Sequence, residues 1–163
     1  VFRGRRQFRR RRSRRWMVAM RARDFITQIR DDDIVGGIRA AEQRTSGQIR
    51  VFISRKMVDD PVTAAQAAFH RLGMEKTRHR NGVLIYVAPR SRKFAVIGDA
   101  GIHKKCGDAF WQELAKAMTE YFRRSEFTQG IMHGIAKAGE LLAEHFPRQP
   151  DDSNKLPDRV AHD

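Results

Sequence analysis

The run Val83-Leu84-Ile85-Tyr86-Val87-Ala88 constrains this chain more than any other stretch. It is continuously apolar or aromatic, with Asn81-Gly82 before it and Pro89 after it. No alternation leaves one side wet, so the run predicts a strand buried on both faces, with covering structure on each side of its sheet. Pro89-Arg90-Ser91-Arg92 then makes a turn, and Lys93-Phe94-Ala95-Val96-Ile97 returns as an antiparallel partner. Upstream, Gln48-Ile49-Arg50-Val51-Phe52-Ile53-Ser54 has the β-branched and aromatic content of another strand. Between the two, Asp60-Pro61 opens a helix, with proline in the first turn where its missing N–H costs nothing. Val62, Ala65, Phe69 and Leu72 give that helix an apolar stripe. This strand–helix–strand passage is long enough for a right-handed parallel crossover.

Helices flank this unit. Asp31 to Asp33 can cap a helix over about residues 33–44 and complement its dipole, with Ile34, Ile38 and Ala41 on one face and Gly47 as a stop. Gly36-Gly37 lowers the propensity of that segment. Near the end, Phe110, Leu114, Met118 and Tyr121 recur at helical spacing, as do Ile131, Ile135, Ala138 and Leu142 before Pro147. The expected architecture is α/β, a three-layer α/β/α sandwich around a small mixed sheet. Residues 24–147 form the expected domain, and residues 148–163, rich in Pro, Asp, Ser and Asn, read as a flexible tail.

The formal net charge of +14 is unevenly spread. Residues 1–23 hold eleven arginines and no carboxylate, which leaves the other residues with 22 basic against 19 acidic side chains. The first 23 residues therefore read as a disordered basic arm. Its Arg9, Arg10, Arg11, Arg12, Arg14 and Arg15, with Phe2, Phe8 and Trp16 interleaved, suit a nucleic acid or an anionic membrane surface. The chain opens with Val, and Met17 and Met20 lie just ahead of the domain, so a start assigned too far upstream is a second reading of the arm. Cys106 is the one cysteine, which excludes an intramolecular disulfide. No apolar stretch approaches the ~20 residues of a membrane span, and the expected location is cytoplasmic.

Strand polarity brings three glycine-containing loops to one edge of the sheet. They are Thr45-Ser46-Gly47-Gln48, Arg80-Asn81-Gly82 and Gly98-Asp99-Ala100-Gly101-Ile102-His103. Glu42, Asn81 and Asp99, with Asp108 at the start of the next helix, offer oxygen ligands to a hard cation such as Ca2+ or Mg2+. The bland reading makes Asp99 a turn residue, Asp108 a cap, and Gly98 and Gly101 residues that tolerate positive φ. None of the six histidines forms an H-E-x-x-H pair, and His103 is the one beside the glycine loop. Lys104 and Lys105 would pull the pKa of Cys106 down, but a single small, semi-buried cysteine is more often inert. The chain has no Walker A loop, G-x-S-x-G elbow or G-x-G-x-x-G fingerprint.

Taken in order, Glu42-Gln43-Arg44-Thr45-Ser46-Gly47-Gln48-Ile49-Arg50-Val51, Asn81 to Ala88, Phe94 to Ile102, Phe127-Thr128-Gln129-Gly130-Ile131 and Ala138-Gly139-Glu140 resemble the motifs of TPM domains. The resemblance covers about residues 24–147 and is closest to short, free-standing bacterial members. It implies an α/β/α sandwich, a loop edge that binds calcium or magnesium in some members, and acid phosphatase activity in some. The family commonly has Glu where this chain has Gln48. The amide keeps an oxygen ligand but removes a charge, which weakens cation binding. The Arg-rich arm is not part of the family pattern.

Overall fold

The computed structural model describes Phe25 and residues 28–150 and 157–163. The arginine-rich stretch of residues 9–15 lies outside the described residues. Helix α1 is Asp31–Glu42, strand β1 Gln48–Ile53, helix α2 Pro61–Arg71, strand β2 Gly82–Ala88 and strand β3 Lys93–Gly98. Helices α3 (Ala100–His103), α4 (Asp108–Arg123) and α5 (Phe127–His145) follow, and strand β4 is Ala161–His162. The sheet order is β3-β2-β1-β4. β1 runs parallel to β2 from Gln48↔Gly82 to Ile53↔Val87, and β3 returns antiparallel to β2.

Alternation along the strands divides the interior in two. Ile49, Val51, Ile53, Val83, Ile85, Val87 and Val96 face α1, α4 and α5 and form the larger core with Ile34, Ile38, Trp111, Met118 and Ile135. Phe52, Leu84, Tyr86, Ala95 and Ile97 face α2, where Val62, Ala65, Ala68 and Phe69 cover them. Every residue of β2 is buried, as a continuous apolar run requires. The molecule is the expected three-layer sandwich; among the described residues one helix covers one face and three larger helices the other.

Several elements depart from the sequence reading. Asp31 to Asp33 sit inside the first turn of α1, where they complement its dipole, and Arg30 holds the cap position without a side-chain bond. Asp60 does cap α2, its Oδ1 accepting from the N–H of Val62 at 3.0 Å. In α4 the buried face runs through Trp111, Leu114, Ala115, Met118 and Phe122, so Phe110 and Tyr121 lie at its margin. Gly98 and Gly101 do not have positive φ; Gly73 is the glycine that does among the described residues. Gly101 is required for space. A Cβ there would stand 2.7 Å from the Arg80 carbonyl oxygen and closer still to that of His79.

The C-terminal residues also carry more structure than a loose tail. β4 adds to the outer edge of β1 in parallel, with Phe52 opposite Ala161 and Ile53 opposite His162. Val160 is buried in the larger core.

Candidate functional site

The loop edge is tied together by backbone and short polar side chains. Asp99 N–H donates to Gly82 C=O at 3.0 Å and Gly101 N–H to Arg80 C=O at 2.9 Å, which fixes the β3–α3 turn against the loop before β2. Asn81 is buried, and its Nδ2 donates to Ser46 Oγ at 3.2 Å. The Thr45 hydroxyl donates to the Phe146 carbonyl, and Ser46 N–H donates to the same oxygen at 3.0 Å, anchoring the end of α5 beside the loop.

The four acidic or amide candidates end up in different surroundings. Asp99 is clamped by Arg80, whose Nε and Nη2 donate to its two oxygens at 2.8 and 2.9 Å. Its Oδ1 also accepts from Ala100 N–H at 2.7 Å and so caps α3. Arg80 stands in the left-handed region at φ 51°, a conformation a non-glycine residue keeps only when its surroundings hold it. Asp99 in turn holds its guanidinium more firmly protonated. Asp108 is an exposed first residue of α4.

Glu42 ends α1 and turns inward. Its Oε1 accepts from Ile49 N–H at 2.8 Å, on the side of β1 away from β2. Its Oε2 is buried without a hydrogen-bond partner. Burial first, and then the neighbouring Asp158 carboxylate, outweigh the Ile49 bond and Arg148, and push Glu42 up to about 8. Gln48 Oε1 is a second buried oxygen with no partner. Among the described residues, no three His, Cys, Asp or Glu side chains come together in a group that could hold a metal ion.

A pocket of about 430 Å³ opens at the same edge, beside Ser46. Its polar lining is basic or neutral: Arg78, His79, Lys105, His145, Ser46 and Gln149, with no carboxylate. Lys105 is steadied there, its Nζ donating to His145 C=O at 3.0 Å and lying 4.4 Å from the Phe146 ring centroid. Sequence reasoning missed this pocket. Its residues come from four separate segments, and the basic character was visible only as scattered residues in Arg78-His79-Arg80 and Lys104-Lys105. His103, half-buried behind these loops, is pushed down in pKa by burial. Cys106 fits the reading of an inert thiol, because burial, and next Glu144, raise its pKa against the pull of Lys105.

The fold and loop edge define a small α/β/α domain whose tied-down turns lie at one end of a mixed sheet. The TPM domain family profile matches residues 20–141, and the chain belongs to the TPM domain family. The BA42 protein of the psychrophilic bacterium Bizionia argentinensis is similar in structure, with a TM-score of 0.76 and 38% identity over 83% of this chain and 96% of that one. The N-terminal domain of the cg2496 protein of Corynebacterium glutamicum shares the fold at 20% identity, with a TM-score of 0.50 over 71% of this chain and 75% of that one. No protein of curated function matches the chain. Among the described residues, no helix is long and apolar enough to cross a membrane.

Proposed function

We propose that this TPM domain binds a phosphate ester in the pocket at its loop edge and hydrolyses it weakly. The supporting observation is the pocket's lining, which gathers Arg78, His79, Lys105 and His145 around about 430 Å³ without a carboxylate. Guanidinium and ammonium groups there suit a dianionic phosphoryl group, and the imidazoles can donate a proton to a leaving oxygen. The hydrolytic step rests on the family likeness. Calorimetric titration with inorganic phosphate tests the binding. Arg78→Ala with Lys105→Ala should weaken it at least tenfold, and an unchanged affinity in that double variant would remove the pocket from consideration.

A second reading is a divalent cation, Ca2+ or Mg2+, near the start of β1. Its support is two buried oxygens, Gln48 Oε1, which has no hydrogen-bond partner, and Glu42 Oε2, which faces the Asp158 carboxylate. Asp99 is a poorer ligand, because both of its oxygens are engaged by Arg80. Absence of heat and of thermal stabilisation at millimolar calcium or magnesium would count against it. Binding of nucleic acid or anionic membrane by residues 3–15 rests on the arginine content of that stretch alone. Deleting residues 1–19 should abolish polyanion binding and leave phosphate binding intact.

A further inference from the structure

The geometry points to the outer edge of β1 as a receptor for an extended acidic peptide from a partner protein, a site that residues 158–163 of this chain occupy imperfectly. β1 is six residues long and fully paired on its β2 side, but β4 covers it over two residues. Ahead of that pairing, the outward N–H of Ile49 is answered by a side chain, Glu42, where a longer added strand would supply a carbonyl. A partly covered strand edge of this kind is a template for β-strand addition.

The resident segment shows what the groove recognises. At one end Asp158 accepts from Arg39 Nε at 3.3 Å. At the other, Asp163 accepts from Arg55 N–H at 2.6 Å and from the Ser54 hydroxyl. Val160 fills a place in the larger core and Ala161 packs on the smaller one. The pattern is acid, any residue, valine, two residues, acid, laid parallel to β1.

One position is wrong in sign. Arg159, exposed in the bend just before β4, places its charge near Arg50. Arg50 is 5% exposed, and its Nε has no hydrogen-bond partner. Burial, and next the charge of Arg159, disfavour its protonated form, while Asp158 and Glu42 act the other way. Like charges brought close repel, and a buried guanidinium N–H without an acceptor is costly. A peptide with a carboxylate at the Arg159 position gives Arg50 an acceptor and removes the repulsion. That difference lets a separate chain compete with a tethered segment, which otherwise has the advantage of high effective concentration.

The test uses the full chain, labelled with 15N, and two synthetic peptides with the sequence of residues 157–163, one native and one carrying Arg159→Glu. The Glu peptide is expected to bind at least tenfold more tightly and to shift the amides of Val160, Ala161 and His162 to exposed values. In the full chain, Arg159→Glu should slow exchange of the Ala161 amide, which the parallel register turns toward β1, at least tenfold and abolish displacement by either peptide. Equal binding of the two peptides, or failure of both to displace the segment, would overturn the proposal, as would unchanged exchange in the Arg159→Glu chain.

Discussion

Asp99 and Glu42 are alike in burial, at 7% and 4% exposed, and unlike in what surrounds them. At the β3–α3 turn, a guanidinium and a backbone N–H answer the Asp99 charge. At the β1 edge, Glu42 has one N–H, a bare second oxygen and another carboxylate nearby. The first arrangement is a structural clamp, with both carboxylate oxygens engaged. The second suits a group that stays protonated in the folded protein. Burial fixes the size of the electrostatic problem, and the partner decides its sign.

The comparison predicts opposite responses, and the largest belongs to Glu42. Its folded pKa of about 8 lies above the ordinary 4.5. Between those values the folded chain holds a proton that the unfolded chain has released, so stability falls as pH rises through this window and levels off above it. The slope is at most about 1.4 kcal/mol per pH unit. Glu42→Gln removes it, and urea denaturation at pH 5 and pH 8 should show the variant gaining on the parent at the higher pH. Parallel curves would mean that Glu42 is ionised in the native state.

Gly101→Ala tests the rigidity of the Asp99 side. The new methyl group meets two carbonyl oxygens of backbone, at His79 and Arg80, which have nowhere to go. A loss of about 3 kcal/mol is expected in thermal or urea unfolding. A loss under about 1 kcal/mol would show that the turn yields easily. Asp99→Asn keeps the shape and removes the charge, and should cost about 1 kcal/mol. A gain in stability would place Asp99 in the same class as Glu42. The smallest effect is expected at Asp163. The Arg55 N–H and Ser54 hydroxyl outweigh burial and hold its carboxyl below its ordinary value. Its contribution is therefore present above about pH 4 and lost as pH falls through the folded value. Asp163→Asn should speed exchange of the β4 amides at neutral pH and leave the acid limb of exchange flat.

Much of this was legible in the sequence because it depends on local chemistry. The apolar run of β2, the Asp60-Pro61 start of α2 and the repeating Ile131, Ile135, Ala138 and Leu142 of α5 each announce their own structure. The convergence of three loops followed from strand polarity. What stayed hidden depends on residues far apart. Nothing near Asp99 in sequence says that Arg80 will take both its oxygens. Nothing near Glu42 says that Asp158 will face it. β4 was unreadable as a strand because two residues carry no period, and its pairing is decided by the Asp158 and Asp163 contacts on either side. The basic pocket was illegible for the same reason.

The lateral place of β4 has a consequence for the order of folding. β1 meets β2 across one helical crossover, whereas Ser54 and Asp163 are 109 positions apart. Closing a loop about three times longer costs about 1 kcal/mol more in chain entropy, and β4 returns two residues of pairing for it. The order expected from this is pairing of β1, β2 and β3 first, with the last strand joining a surface already built. Substitutions in β2 should slow refolding, while those in β4 should chiefly hasten unfolding, leaving the final strand with little say in how the rest is reached.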